Sequence, residues 1–316
     1  MREISVISSS PSPIGPVVDD PLGQFLAGQR TERTRKAYLS DLRQFFGTGA
    51  ITSEDVRGVT FSDIVEYRNG LAALGRRRAT INRKLSSLKA FFKMMTAAGV
   101  VDKNPADTTL VKGYRLEDIL VGKAIHKKSL QRIFDEVEVV DDDLTRSRDL
   151  AIFHVMLFCG LRRSEVANMA WSDLVEDGAF TVLRLPNTKS GVPQDVKIQS
   201  VVVHFLELYR DTLLKNGYPA QDRIFISLSR NDSHGKPLTD QSINLIVRKY
   251  SLSAGLDHRV TAHMLRHTCC TLSIEGGAKP QQVQAHLRHK DLKTTMRYYE
   301  NREKLTDNAS DYIRIS

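Results

Sequence analysis

The sequence predicts a mainly α-helical protein with a small antiparallel β meander, divided into two domains. Three observations lead there. Apolar residues recur at spacings of three and four along much of the chain, most clearly at Ile81, Leu85, Leu88, Phe92 and Met95, which is helical periodicity. One stretch changes character: Ala179–Leu185 and Val192–Ile198 are β-rich and flank Pro186-Asn-Thr-Lys-Ser-Gly191, the pattern of a hairpin or short meander. A length of 316 residues is more than one hydrophobic core usually serves, so two domains are expected.

Taken in order, residues 1–18 include Ser8-Ser-Ser-Pro-Ser-Pro13 and lack periodicity, which predicts a flexible tail. Residues 19–106 read as a helical domain. Thr34–Phe46 carries Tyr38, Leu42 and Phe45 as a core-facing stripe, Phe61–Leu74 is a second helix ending near Gly75, and Thr80–Ala98 is the third. Asn104-Pro105 closes the domain, because a residue before proline leaves the helical region. No acidic residue stands between Glu66 and Asp102, while Arg68, Arg76, Arg77, Arg78, Arg83, Lys84, Lys89 and Lys93 all do. A run of cations without local compensation suits a phosphate backbone. Arg76, Arg77, Arg78, Arg83, Lys84 and Lys93 are therefore the candidate DNA contacts.

Residues 107–123 are polar and weakly patterned, as an interdomain linker would be. A second domain over residues 124–316 opens with an amphipathic helix at Lys128–Val137, followed by a loop at Asp141-Asp-Asp143. Arg148–Cys159 is apolar almost all round and stops at Gly160, which reads as a buried helix with a left-handed C-terminal glycine. Leu161-Arg162-Arg163-Ser164-Glu165 then opens a helix through Trp171, with Arg162 at the tight turn. The β pair follows, with Lys189 at its tip, and then helices at Val201–Asn216 and Thr239–Ala254, separated by Phe225-Ile-Ser227 and a polar loop.

Thr261 is a good N-cap for the next helix, whose apolar residues include Met264, Leu265, Cys269 and Leu272. His263 and Arg266 are three apart and so share a face, where a helix N-terminus and a guanidinium together favour a phosphate. Gly276-Gly277 ends that helix, Pro280 begins one to about His289, and Asp291–Tyr299 is a last turn or two. Residues 301–316 are mixed and suit docking on this molecule or on a neighbour.

Lys and Arg total 46 against 37 Asp and Glu, a net charge of +9, which implies a polyanionic partner. No apolar run approaches a bilayer span and the N-terminus has no secretory apolar region. The three cysteines, Cys159 and the adjacent Cys269 and Cys270, make no disulfide framework and read as reduced core residues. A cytoplasmic location is expected.

Six separated signals resemble one family in order. They are Cys159-Gly-Leu-Arg-Arg-Ser-Glu-Val166, Thr188-Lys-Ser190, His263-Met-Leu-Arg-His267, Leu287-Arg-His289, Thr294-Thr-Met-Arg-Tyr298, and the N-terminal helices over Thr34–Leu42 and Thr80–Pro105. Over roughly residues 20–300 the chain resembles the tyrosine recombinases of the phage integrase class. The resemblance implies a helical core-binding (SAM-like) domain plus a catalytic domain. It also implies cleavage of one DNA strand by a tyrosine, giving a 3′-phosphotyrosine and a free 5′-hydroxyl, with neither metal nor other cofactor.

By that resemblance Tyr298 is the nucleophile, and Arg162 and Arg266 meet the charge that builds on the phosphate oxygens. Lys189 protonates the departing 5′-oxygen, His263 assists proton removal from the tyrosine, His289 donates to the phosphate, and Glu165 braces Arg162. A phenol whose ordinary pKa is about 10 needs such help at neutral pH. Two features depart from the family: Arg288 stands where glycine is usual, and Tyr299 adjoins Tyr298. The Thr-Thr-x-x-Tyr spacing selects Tyr298, and adjacent helical residues point about 100° apart.

The implied partners are double-stranded recombination sites with inverted repeats and a homotetramer across two of them; a monomer in free solution is compatible with this. About twenty residues precede the first helices, which favours a simple recombinase over one with an arm-binding domain. Integration, excision and resolution are equally compatible with these residues. Two other readings are a type IB topoisomerase-like nicking and resealing enzyme and a DNA-binding relative without catalysis. The complete polar set argues against the latter.

Overall fold

A computed structural model describes residues 20–116, 124–186, 193–219, 221–229, 233–256, 260–306 and 313, the last helix beyond Glu300 as backbone only. The predicted tail at 1–18 and Lys189 lie outside the described residues. The chain divides into two compact units, Met1–Asp118 and Ile119–Ser316.

The first unit holds helices α1 (Pro21–Ala27), α2 (Glu32–Phe46), α3 (Ser53–Gly58), α4 (Phe61–Ala73) and α5 (Arg78–Ala97). Their starts follow from side-chain chemistry. Thr52 and Asp55 close a reciprocal capping box on α3, as do Thr60 and Asp63 on α4. Gly47 takes a left-handed conformation to end α2. The stripe read from the sequence on α5 is the buried one, with Phe91 added: Ile81, Leu88, Phe91, Phe92 and Met95 are each at most 1% exposed. Residues 107–116, expected as linker, belong to this unit. Val111 is buried in its core, and Asn82 binds the backbone of Tyr114 through both amide atoms, at 2.7 and 2.8 Å.

The uncompensated cationic run is partly compensated from a distance. Asp41 on α2 is 1% exposed and accepts from Lys84 Nζ at 2.9 Å, Ser87 Oγ at 2.7 Å and the Arg83 guanidinium. Lys84, itself 7% exposed, is thus a core ion pair rather than a free phosphate contact, and Arg83 is half committed to the same acid. The reason is topological: α2 supplies the acid from forty residues away in sequence, where a local charge window does not look. Burial works to raise the Asp41 carboxyl pKa, but hydrogen bonds from Lys84, Ser87 and Arg83 outweigh it and hold it below the carboxylate norm. Its stabilising contribution is therefore present above the unfolded carboxylate pKa and is lost as pH falls through the lower folded value. Asp41→Asn, which strands a buried ammonium, is expected to cost about 3–5 kcal/mol, checked by urea unfolding at pH 7.

The second unit contains α6 (Lys127–Glu138), α7 (Asp143–Phe158), α8 (Arg163–Asn168), a 3-10 turn (Trp171–Asp173), strands β1 (Leu174–Asp177), β2 (Phe180–Leu185) and β3 (Gln194–Ile198), then α9 (Ser200–Lys215), α10 (Asp240–Ser253), α11 (Ala262–Glu275), α12 (Pro280–Leu287) and α13 (Leu292–Thr306). The sheet is an antiparallel meander in the order β1-β2-β3. On its inner face Leu183 stands opposite both Leu174 and Val196. α7 is the central helix, buried almost all round as expected, with Ala151, Ile152, Phe153, Val155 and Met156 at 0% exposure.

Four boundaries differ from expectation. The helix expected through Trp171 ends at Asn168, and Met169 leads into the 3-10 turn and β1, a strand the sequence reading did not single out. Asp142 caps α7 through Thr145 N, so Asp143 is helical rather than loop. α12 stops at Leu287, because Arg288 adopts a left-handed conformation with φ 56°. The last helix runs on to Thr306 instead of stopping near Tyr299.

Candidate active site

Four segments of the second unit converge on one place. Gly160 ends α7 with φ +56°, and a Cβ there would stand 2.3 Å from Leu287 Cδ2 and 3.2 Å from Cys269 Sγ. Only glycine lets the Cys159–Arg162 turn approach α11 and the end of α12 so closely. That approach is what brings Arg162, Arg266 and Arg288 together.

Arg266 is 4% exposed and donates from one terminal nitrogen to Gly160 O and from the other to Leu287 O. These bonds use part of its five-donor fork and fix the plane of the rest. Burial, then the charges of Arg162 and Arg288, lower its pKa to about 10, so it remains cationic at neutral pH. Glu165 lies between two guanidiniums: Oε1 accepts from Arg162 Nη1 at 2.7 Å, and Oε2 from Arg288 Nη2 at 2.7 Å and the Arg162 backbone N–H at 2.7 Å. Burial works to raise its pKa, and Arg288 and Arg162 more than offset that. The carboxylate stays ionised, as expected for a brace. Three guanidiniums against one carboxylate leave the pocket strongly positive.

His289 donates to or accepts from Thr295 Oγ1 through Nδ1 at 2.9 Å. Burial, with the charges of Arg266, Arg162, Arg288 and His263, pushes its pKa down to about 4. It is therefore neutral at pH 7. Because the folded value lies below the unfolded one, this group's contribution to stability is present above about pH 6.5 and is lost as pH falls toward 4. An imidazole NMR titration is expected to show a His289 midpoint near 4; a midpoint near the ordinary histidine value would contradict the crowding of cations around it.

Thr261 is the N-cap residue of α11, although its side chain makes no capping bond; Asn244 Oδ1 accepts from Ala262 N at 3.1 Å instead. His263 is exposed at the start of this helix and packs edge-on against His267, ring centroids 4.4 Å apart. The Tyr298 hydroxyl is hydrogen-bonded to His267 Nδ1, with the two rings 5.5 Å apart. Tyr298 is 8% exposed, in a small core with Cys269, Cys270, Ile274, Val283 and Leu287. Tyr299 is half-buried at the edge of the same cluster. All three cysteines are free and buried.

The structure thus gathers Arg162, His263, Arg266, His289 and Tyr298, five of the six residues predicted to be catalytic. Two partners were missed. His267, not His263, is bonded to the phenol, and Thr295 anchors His289. Both sit inside the quoted motifs, and the spacing of four from His263 to His267 and of three from Thr295 to Tyr298 marks shared helix faces. Of the residues predicted to contact DNA, Arg76, Arg77, Arg78 and Lys93 are exposed, and the first three surround the N-terminus of α5.

The profile of the "Phage integrase family" matches residues 123–304, and that of the "Phage integrase, N-terminal SAM-like domain" matches residues 23–99. The chain is 28% identical over 296 residues to tyrosine recombinase XerC of Pediococcus pentosaceus, covering 92% of this chain and 95% of that protein. Its fold is similar to that of the XerH site-specific recombinase bound to a palindromic difH substrate in a post-cleavage complex, with TM-score 0.69, 17% identity, and coverage of 89% of this chain and 80% of that one. It is also similar to a lambda integrase tetramer bound to a Holliday junction, with TM-score 0.63, 18% identity, and coverage of 88% and 76%.

Proposed function

Because this chain belongs to the phage integrase family of tyrosine recombinases, we propose that it cleaves and rejoins duplex DNA through a phosphotyrosine formed on Tyr298. The observation that carries this reading is a phenol bonded to His267, on the same helix as Arg266, with Arg266 and Arg162 each fixed by hydrogen-bonded acceptors. Tyr298 Oη attacks the scissile phosphorus, and the bond to the 5′-oxygen breaks. A 3′-phosphotyrosine and a 5′-hydroxyl result. The phosphodiester energy is kept in the protein–DNA bond, so attack by another strand's 5′-hydroxyl reverses the step without ATP.

Arg162 and Arg266 stabilise the charge that develops on the nonbridging oxygens, pre-aimed by Glu165 and by the Gly160 and Leu287 carbonyls. His267 takes the phenol proton, and His263, in ring contact with it, opens that pair toward solvent and substrate. His289, neutral and tethered by Thr295, donates a hydrogen bond to the phosphate. Lys189 is assigned the departing 5′-oxygen on family grounds. The partner of the protein is double-stranded DNA, gripped in part by Arg76, Arg77, Arg78 and Lys93 of the first unit. Four protomers on two inverted-repeat sites, in the cytoplasm with the DNA, complete the reading.

The test uses sites selected by the chain itself from a random duplex pool, two copies then being placed on one plasmid. Deletion or inversion between them is expected. Relaxation of supercoils without exchanged strands would replace recombination by a nicking and resealing activity.

A further inference from the structure

We propose that Arg288 is a positioning residue that holds Glu165 off Arg162, so that Arg162 presents free donors to the scissile phosphate. This rests on the reading of the pocket as a phosphotyrosine-forming centre. The geometry behind it is specific. Glu165 gives Oε1 to the Arg162 guanidinium, and Oε2 to both Arg288 and the Arg162 backbone N–H, each at 2.7 Å. A carboxylate left alone with one arginine prefers the two-pronged fork, which would occupy a second Arg162 donor and cancel its charge. The second guanidinium, together with the Arg162 backbone N–H, holds that oxygen away from the fork. It also adds a cation to a pocket whose work is to hold an anion.

The residue keeps this post against two costs. Arg288 is the one non-glycine residue with positive φ among the described residues, a conformation in which L side chains are strained and glycine is not. Its Nε is buried with no hydrogen-bond partner among the described residues, which is unfavourable for a cation's donor. Glycine at this turn would remove both. Strain retained beside reacting groups is the mark of a constraint other than stability. Nor does Arg288 reach substrate itself, since its side chain is 3% exposed and pinned by Glu165 Oε2 and His286 O. Its influence passes through Glu165 to Arg162.

Two variants separate positioning from packing. Arg288→Gly removes charge, volume and backbone strain; Arg288→Met removes charge and keeps most of the volume. Both are expected to lower single-turnover cleavage of a nicked site by about 10- to 100-fold, the range typical of lost outer supports. Affinity for the same DNA should stay within a few-fold of wild type, since the pocket holds one phosphate among the many a duplex offers, and Arg288→Gly should lose less stability than Arg288→Met because it sheds the strained backbone. Millimolar guanidinium should restore cleavage to Arg288→Gly, and equal urea should not.

A measurement without turnover reads the same claim: the 15N side-chain signals of Arg162 should shift in Arg288→Gly as Glu165 turns onto both its terminal nitrogens. If wild type forms no adduct, the phosphotyrosine reading fails, and this spectrum still decides the role of Arg288. An unchanged Arg162 signal, cleavage by both variants within threefold of wild type, or loss in Arg288→Gly alone would overturn the proposal.

Discussion

Tyr298→Phe abolishes the covalent protein–DNA adduct and all strand exchange, while DNA affinity stays within a few-fold of wild type. The substitution removes one oxygen, which is the atom proposed to bond phosphorus and the one bound by His267. The ring remains to fill the core made with Cys269, Cys270, Ile274, Val283 and Leu287, so the fold should tolerate the change. Tyr299→Phe is the control. Adjacent helical positions diverge by about 100°, and among the described residues only the Tyr298 hydroxyl, of the two, has a histidine of the site as its bonded partner. Tyr299→Phe should therefore keep the adduct. A denaturing gel after incubation with a nicked site measures both, and an adduct surviving in Tyr298→Phe would refute the assignment.

Arg266→Ala lowers the single-turnover cleavage rate by about 10²–10³, the usual cost of removing one preorganised donor from a developing oxyanion. Stability should fall as well, because the guanidinium also satisfies Gly160 O and Leu287 O. Each buried carbonyl left without a donor costs about 1–3 kcal/mol. Arg162→Ala should match the rate loss with a smaller stability loss, since Arg162 is only half-buried and its anchor, Glu165, retains Arg288. Arg266→Lys should not rescue: an ammonium cannot span two carbonyls and still face the phosphate with a fixed fork. Rapid-quench cleavage and urea unfolding of the three variants separate the rate term from the stability term.

Much of this was legible in the sequence, for identifiable reasons. The α5 stripe and the buried α7 announced themselves by period and composition, and Gly160 by its place after an apolar helix. The catalytic side chains were legible because ordered motifs carry them. What stayed hidden depends on contacts distant in sequence. The acid that neutralises Lys84 lies on another helix. The carboxylate that Arg288 grips is 123 positions away. Val111 and Tyr114 look like linker until the helices they cover are in place. β1 is hard to see in the sequence although Asp177-Gly178 precedes the next strand; Gly178, at φ +60°, begins the tight turn into β2, a hairpin signal obscured by the polar residues around it. His267 is not marked by the sequence, because the phenol it binds arrives from α13, 31 positions away.

The most direct test of the central claim is to trap the wild-type chain on a nicked site, digest the adduct, and identify the linked residue by mass spectrometry. The account predicts a nucleotide joined through its 3′-phosphate to Tyr298, with a free 5′-hydroxyl on the other fragment. Linkage at Tyr299, a 5′-phosphate linkage, or cleavage with no covalent adduct would contradict it.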